Sequence, residues 1–381
     1  MESLKKIISI ITNLYNNSRC AVRTDGVMGD WFQIVTGVRQ GCILSPLLFL
    51  LVMDWVLKRA TYNCNCGIQW TNNGRLTDLD FADDIALVDD AWVGMRELTK
   101  RIETEAGTVG LCINAEKTKI MVVGDMAETE SITAGGKQVE VVEEFCYLGS
   151  MISRKGDSER DIKTRIGKAN AIFGRLNNIW KSKTLNTKIK IRLYESLVMS
   201  TLLYAAETWP MTVADMKKLE AAHHRWQRKI LGVSWKDMVR NEEIRQRTGL
   251  ERLEDILSKR RLRWFGHVQR MDDGRITKQA LNWSPKDGRQ KRGRPRKNWR
   301  KTLMEDLQKI EMDRGEAEDA AGDMMMWQRS RFTFKNCMDF RILKLCNDWL
   351  IIIILNQLKI ALDSRVIGIV IKVNEQFTRL C

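Results

Sequence analysis

The ten residues Leu79–Val88 constrain the fold of this chain most. They read LDFADDIALV and place Asp83 and Asp84 between two short apolar runs. Leu79 and Phe81 alternate with polar neighbours and four apolar residues follow the acids, a pattern that predicts two strands joined by a tight turn. Adjacent like charges repel unless water or a cation neutralises them. This stretch alone therefore indicates either a solvated acidic turn or a cation-binding one, and the solvated turn is the simpler interpretation.

The net charge of the chain favours a polyanionic partner. Its 381 residues include 63 lysines and arginines against 48 acids, a net charge of +15. Such an excess attracts polyanions through steering and counterion release. Nucleic acid is the natural candidate, with an anionic membrane surface second. A chain of this length has room for two or three domains.

Composition also argues against several classes of protein. The one strongly aliphatic run, Trp349–Leu355, is too short to span a bilayer, so we expect no membrane partner. Nine scattered cysteines with one CxC pair, and three histidines, make a structural zinc site an unfavourable hypothesis. The odd cysteine count and the lack of a secretory leader fit a reducing, intracellular location, nuclear or cytoplasmic.

The first 150 residues mix helices and strands. Apolar spacing predicts helices over residues 2–16 and from Trp92, and Ser45 followed by Pro46 predicts a capped, buried helix. Extended segments surround Asp25-Gly26 and Gly135-Gly136, where turn residues predict hairpins.

The sequence after residue 150 is helical and basic. We predict five helices near residues 157–181, 185–208, 213–231, 237–248 and 251–271, with their tryptophans in the core. A basic linker with the short helix Trp299–Ile310 follows. The predicted domains are therefore residues 1–150, 151–272, 273–330 and an aliphatic tail, 331–381, that looks unrelated to the rest.

Four motifs in one order point to a family. They are GVRQGCILSP (Gly37–Pro46), FADD (81–84), GLCINAEKTKIMV (110–122) and FCYLGS (145–150). Together they resemble the reverse transcriptases of non-LTR, LINE-type retrotransposons, over roughly residues 1–330. RRLRWFGHVQRMDD (260–273) and GRPRKNW (293–299) look like the region downstream of the polymerase in such elements.

The resemblance implies a fold and a chemistry. The fold is α+β, a partial right-hand polymerase palm of antiparallel strands and helices followed by an all-helical thumb. The reaction is RNA-directed DNA synthesis, in which two Mg²⁺ (or Mn²⁺) ions about 3.5–4 Å apart clamp the attacking and leaving oxygens. Asp83 would be a metal ligand and Asp84 its partner beside the primer end. The partners would be an RNA template and a DNA primer, and the oligomeric state stays open.

The resemblance also assigns roles to two loops. Arg39, Gln40 and Gly41 match a stretch that lies under the incoming nucleotide and template, although an ordinary helix-entry turn is the alternative. Lys117 matches a lysine proposed to help protonate the leaving pyrophosphate. A solvated strand lysine is the competing interpretation of Lys117.

Two further segments would contact nucleic acid. Tyr147, Leu148 and Gly149 match a hairpin that grips the primer, although Tyr147 could serve only in packing. The run KRGRPRK resembles an AT-hook, whose Arg-Pro core enters the minor groove of AT-rich DNA, and a nuclear-import signal or a solvated charge cluster are alternatives. Its basic residues are Lys291, Arg292, Arg294, Arg296 and Lys297.

One expected feature of the family is not found in this sequence. The first catalytic aspartate lies upstream of the Gly37–Pro46 motif in relatives, before the helix with which this chain opens. Asp25, Asp30 and Asp54 do not replace it, because they fall in the predicted hairpin and in the helix after the loop. We therefore expect an N-terminally truncated polymerase with weak metal binding and little or no activity.

Two other hypotheses stay open at this stage. The chain could be a non-catalytic nucleic-acid-binding protein that uses the basic thumb and the KRGRPRK arm. It could also be barely stable, because a palm sheet without its central strand would expose edges that tend to pair with other strands.

Overall fold

The computed structural model describes residues 2–34, 37–39, 41–71, 74–123, 130–154, 157–283, 298–323, 327 and 366–374. The chain divides into two compact units. The first comprises residues 1–120, 127–141 and 367–381, and the second residues 121–126 and 142–366. The division after residue 141 places the FCYLGS hairpin in the second unit, whereas the sequence located the change near residue 150.

The first unit is an α+β fold. Its helices are α1 (Glu2–Tyr15), α2 (Ser45–Thr61) and α3 (Trp92–Thr108). Short strand pairs join β1 (Arg19–Cys20) to β4 (Phe32–Gln33), β2 (Arg23–Thr24) to β3 (Val27–Met28), β5 (Ile68–Gln69) to β6 (Arg75–Leu76), and β11 (Thr133–Ala134) to β12 (Lys137–Gln138). A disulfide joins Cys64 and Cys66, which the expectation of reduced cysteines did not include.

The main sheet has six strands. They are β7 (Asp78–Phe81), β8 (Asp84–Asp89), β9 (Cys112–Ile113), β10 (Lys119–Val123), β13 (Glu140–Val141) and β16 (Val366–Asn374). The order is β13-β10-β16-β8-β7, and β9 pairs with the far end of β16. The predicted tail thus contributes a strand to the middle of this sheet.

The core of the first unit lies where α2 and α3 pack together and α3 packs on β8. Met95, Leu98 and Ile102 recur on α3 at spacings of three and four, so all three point to one face, and all are fully buried. Ile85 and Leu87 of β8 are equally buried.

Helix α2 is less buried than its composition predicted. Leu47, Leu50, Leu51 and Trp55 stay exposed, because among the described residues only the face of Met53 and its neighbours packs against α3. Ser45 is the first helical residue rather than the cap, and its hydroxyl donates to the carbonyl of Arg39.

The described part of the second unit is helical apart from the hairpin of β14 (Glu144–Tyr147) and β15 (Ser150–Ser153) and the ends of β10 and β16 that fall within it. The helices are α4 (Glu159–Arg175), α5 (Asn177–Lys181), α6 (Thr187–Leu193), α7 (Ser200–Leu202), α8 (Val213–Leu231), α9 (Asn241–Thr248), α10 (Leu253–Gln269), α11 (Ile276–Asn282), α12 (Trp299–Lys309) and α13 (Arg314–Gly322). A short π-helix, Tyr194–Met199, joins α6 to α7. The first predicted helix is divided at Leu176 into α4 and α5.

Aromatic side chains form the core of the second unit, as the sequence predicted. Phe173 stacks on Trp180 with ring centroids 4.9 Å apart and also stacks with Trp226, at 5.9 Å. A second cluster surrounds Trp264 and Trp299. No described helix in either unit is both long enough and apolar enough to cross a membrane.

The buried pair Tyr194–His223 makes the second unit sensitive to acid. The hydroxyl of Tyr194 lies 2.6 Å from Nδ1 of His223, and burial, with the nearby His224 and Arg245, lowers the pKa of His223 to about 3. The unfolded chain binds a proton at this histidine near pH 6.5 and the folded chain does not, so acid favours unfolding between these values.

We therefore expect the free energy of unfolding to fall by about 2–3 kcal/mol between pH 7 and pH 4.5 through His223 alone. Urea titrations of the wild type and of His223→Gln across this range measure the difference, in which the other titrating groups cancel. Equal pH slopes for the two proteins would contradict the assignment.

Candidate active site

The Asp-Asp stretch forms the hairpin that the sequence predicted. Strands β7 and β8 are antiparallel, with Phe81 opposite Asp84, so Ala82 and Asp83 make the two-residue turn. Ala82 adopts φ +55°, a left-handed conformation that short hairpin turns require. Asp83 lies in the turn and Asp84 begins β8, and both are half-buried.

Two more acids lie on the same hairpin and were missed from the sequence. Asp78 and Asp80 alternate along β7, and burial, together with the charge of Asp80, raises the pKa of Asp78. Opposed residues of antiparallel strands share a face of the sheet. Asp80 pairs with Ile85 and Asp84 pairs with Phe81, so Asp80 and Asp84 lie on opposite faces. The alternating acids in the sequence TDLD were the signal that could have revealed these two residues.

The far end of β8 is fixed by a structural acid. One carboxylate oxygen of Asp89 accepts from the backbone N–H of Gly67 and the other from Ala91, 2.8 Å away, at the start of α3. Burial raises the pKa of Asp89. The hairpin is therefore anchored at the end opposite its turn.

The donors at the turn suit one divalent ion rather than two. Mg²⁺ in proteins is commonly held by one or two carboxylates, with water and substrate phosphates completing its shell. Asp83 and Asp84 can supply such a partial set. Within the described ranges, no three His, Cys, Asp or Glu side chains come close enough together to hold a metal ion. The described residues thus do not form a protein cage for two metal ions.

The predicted nucleotide loop is tied to neighbouring residues. The guanidinium of Arg39 donates to the hydroxyl of Ser18, 2.8 Å away, and lies 5.8 Å from the ring centre of Tyr15. Gly41 has φ +80° and open space where a Cβ would be. Gln40 lies outside the described residues. Arg39 thus has a structural role in this arrangement, as the alternative interpretation allowed.

Lys117 lies in a turn rather than on a strand. The turn connects β9 to β10, and Oδ1 of Asn114 accepts from the backbone N–H of Lys117 at 3.2 Å. The hydroxyl of Thr118 donates to the carbonyl of Asn114 and closes the turn. The Lys117 side chain is exposed.

Of the predicted primer-grip residues, Leu148 and Gly149 form the turn between β14 and β15, and Tyr147 ends β14. Leu148 and Gly149 both adopt positive φ, +46° and +80°, as the favoured two-residue hairpin turn requires. The carbonyl of Leu148 accepts from the hydroxyl of Tyr204 at 3.0 Å, and that of Gly149 accepts from the guanidinium of Arg165. Tyr147 is buried, which favours the packing interpretation for its side chain.

Asp161 holds this hairpin to the helices. Its carboxylate accepts from the backbone N–H of Met151 and from the indole of Trp209, both at 2.9 Å, and lies 3.8 Å from the guanidinium of Arg165. Burial, the largest influence, raises its pKa. Met151 and Trp209 lie 10 and 48 residues away along the chain, so local sequence patterns could not reveal these two partners.

We expect Asp161→Leu to lower the free energy of unfolding by about 2–3 kcal/mol, because it leaves two buried donors without an acceptor. Asp161→Asn keeps one oxygen and should cost less. Urea unfolding followed by tryptophan fluorescence measures both variants. Equal stability of Asp161→Leu and the wild type would contradict this role.

The helical unit contains a long acid-free segment. Residues 162–194 include no Asp or Glu but nine basic residues. Six of them are exposed and have no carboxylate within 4.0 Å among the described residues: Lys168, Arg175, Lys181, Lys183, Lys188 and Arg192. Other cations of these helices are often paired with a carboxylate, as Lys163 and Lys218 are with Glu159.

Two hydrogen bonds of Lys190 fix the loop between α5 and α6, which carries Lys183 and lies between Lys181 and Lys188. Nζ of Lys190 is buried and donates to the carbonyls of Trp180, 2.9 Å away, and Ser182, 2.7 Å away. Asn186 caps α6 through the N–H of Ile189. The loop between α5 and α6 is therefore held in place, and Lys183 in it and Lys181 and Lys188 beside it are exposed. The predicted arm Lys291–Lys297 lies outside the described residues.

Part of this chain is similar to known proteins. The profile of the reverse transcriptase (RNA-dependent DNA polymerase) family matches residues 2–152. The chain is 29% identical over 244 residues to a transposon-derived protein of Caenorhabditis elegans, covering 62% of this chain and 87% of that protein. It is 23% identical over 245 residues to the RNA-directed DNA polymerase of the mobile element jockey of Drosophila funebris, covering 60% of this chain.

A third relative is the Pol polyprotein of the R2DM retrotransposable element of Drosophila melanogaster, 24% identical over 216 residues, or 52% of this chain. The chain spans 25% of the jockey polymerase and 20% of the R2DM polyprotein. Residues 2–152 thus match the reverse transcriptase family, and the chain is similar to the reverse transcriptases of non-LTR retrotransposons. Enzymes of this family use divalent metal ions.

Proposed function

We propose that the chain is a retrotransposon reverse transcriptase fragment that binds template–primer without extending it. The observation that carries the proposal is the pair Asp83–Asp84 at the turn of the β7–β8 hairpin, inside the matched domain. In this proposal both carboxylates contribute oxygen ligands to one Mg²⁺ or Mn²⁺. A bound ion would supply charge neutralisation at the transferring phosphate.

The remaining site residues have supporting roles in the proposal. The turn Leu148–Gly149 places its backbone beside the primer, held by Tyr204 and Arg165. Exposed Lys117 is free of any carboxylate within 4.0 Å among the described residues and is able to donate a proton. Arg39 holds its loop through Ser18 rather than contacting the nucleotide.

In this proposal the primer is not extended, because the turn offers too few carboxylate ligands for two metal ions. Two consecutive acids at one turn give a single weak ion site, and the other hairpin acid nearest the turn, Asp80, lies on the opposite face of the sheet from Asp84. The strand beside β8, residues 366–374, contains no acid. Clamping both oxygens of the displacement requires two ions, which these ligands do not hold.

Binding is supported independently by the acid-free segment. Exposed cations without carboxylate partners release counterions when they meet phosphates, and this release gives salt-dependent affinity without sequence preference. The loop between α5 and α6, which carries Lys183, is fixed by Lys190, so little backbone ordering is needed on binding. The basic run Lys291–Lys297 is a further candidate contact.

The double variant Asp83→Asn/Asp84→Asn separates binding from chemistry. In the absence of divalent ions it should bind an RNA–DNA template–primer as tightly as the wild type or slightly more tightly, because two charges that repel phosphate are gone. Fluorescence anisotropy at fixed salt measures this. A loss of affinity would contradict the proposal that binding depends on the helical unit.

A further inference from the structure

The strand β16 occupies an inner position of the main sheet. It runs antiparallel to β8 over six residue pairs, from Ile367 opposite Asp89 to Lys372 opposite Asp84. Val373 and Asn374 continue beyond the end of β8 and pair with β9. On its other side β16 neighbours β10. One segment near the C-terminus thus joins three strands from residues 84–123.

Exposure to water would be unfavourable for the edge of β8 that pairs with β16. All five residues from Ile85 to Asp89 are buried, so both faces of this strand are covered. Without a neighbour on that side, the backbone N–H and C=O groups of a buried strand would lack partners. An apolar, unpaired edge of this kind also attracts strands from other chains.

The segment itself fits that edge. Residues 366–374 read VIGIVIKVN, with six β-branched residues among nine, a composition that favours a strand with both faces covered. Val370 and Ile371 are buried at the pairs with Ala86 and Ile85. Because this register spans the full length of β8, the segment is a specific partner of the edge.

We propose that the edge of β8 is a strand-docking site that this chain fills with its own residues 366–374, and that a peptide of the same sequence docks there in trans when the chain's own strand is prevented from pairing. Main-chain hydrogen bonds supply the affinity of such strand addition, and alternate side chains supply its specificity. The residue in register with Asp84 is then a lysine, Lys372, so the docked strand brings no carboxylate to the Asp83–Asp84 turn.

The test uses the full chain with Val370→Pro, which removes a backbone N–H from an inner strand and should prevent pairing. The matched control is Val370→Ala, which keeps the N–H. Hydrogen exchange followed by mass spectrometry reports protection of amides 84–89, and helix α8 in the second unit is the internal reference. We expect Val370→Pro to lose protection at residues 84–89 and Val370→Ala to keep it.

Addition of a peptide with residues 364–376, in molar excess, should then restore protection of residues 84–89 in Val370→Pro. A peptide that itself contains the proline should not. The proposal is overturned if Val370→Pro keeps wild-type protection at residues 84–89, or if the unmodified peptide fails to restore it. Neither outcome depends on polymerase activity or nucleic-acid binding.

Discussion

Replacing Lys181, Lys183 and Lys188 with glutamine should weaken binding of an RNA–DNA template–primer about 100-fold at 0.15 M salt. Each phosphate contact that is lost lowers the slope of log affinity against log salt by about 0.9 for a duplex. Three contacts change that slope by about 2.7, which extrapolates to about two orders of magnitude between 1 M and 0.15 M salt. Fluorescence anisotropy over a salt series gives both the affinity and the slope.

A matched control variant removes the same positive charge from lysines that are paired with carboxylates. Lys163 and Lys218 lie 2.9 and 2.8 Å from Glu159, and Lys259 lies 2.7 Å from Glu251. Their replacement with glutamine also removes three positive charges, but from sites that a carboxylate already neutralises. This control should change affinity several-fold less. Equal losses in the two triple variants would show that net charge, and not the three lysines without carboxylate partners, governs binding.

Removing Asp306 should destabilise the second unit by about 3–5 kcal/mol. Nε of Arg261 on α10 donates to Oδ2 of Asp306 on α12 at 2.6 Å, and each side chain is 2% exposed. Asp306→Leu leaves a buried guanidinium without its anion, the most costly way of breaking such a pair. Urea unfolding followed by tryptophan fluorescence measures the loss.

The reciprocal variant should be milder. In Arg261→Met, Asp306 keeps a cation, because Nζ of Lys309 lies 3.5 Å from its Oδ1. The double variant Arg261→Met/Asp306→Leu should recover much of the lost stability, because it leaves no charge of this pair buried. A double variant as unstable as Asp306→Leu would contradict the view that uncompensated charge is the cause.

Local patterns in the sequence were sufficient for the hairpin of Asp83 and Asp84. Alternating apolar residues on either side of adjacent acids specify two strands and a turn, because the side-chain period of a strand is two. The apolar faces of α3 and α4 follow from equally local spacing, whereas the turn at Leu148–Gly149 was implied only by the family resemblance. These elements are therefore found where the sequence predicted them.

The contacts that position the site were not predictable in this way. The hydroxyl of Tyr204 reaches the carbonyl of Leu148 across 56 residues, and Asp161 reaches Trp209 across 48. Strand β16 lies more than 270 residues beyond its partner β8, after a segment with no clear periodicity. Such pairings depend on tertiary packing, which a single sequence does not display.

For α2 the sequence predicted burial that the structure does not show. Its run of leucines predicted burial all round, because apolar composition alone does not say which neighbours are present. In the described part of the chain, only the face toward α3 finds a partner. Composition therefore indicated the helix correctly and its surroundings incorrectly.

The most direct test of the account is primer extension on a complex known to be formed. Residues 1–381 are mixed with an RNA template annealed to a fluorescent DNA primer at a concentration where anisotropy shows saturation. Deoxynucleotides with Mg²⁺ or Mn²⁺ are then added, beside an unrelated active reverse transcriptase as positive control. We predict that the bound primer is not lengthened in the presence of either ion. Template-directed lengthening that Asp83→Asn abolishes would contradict it.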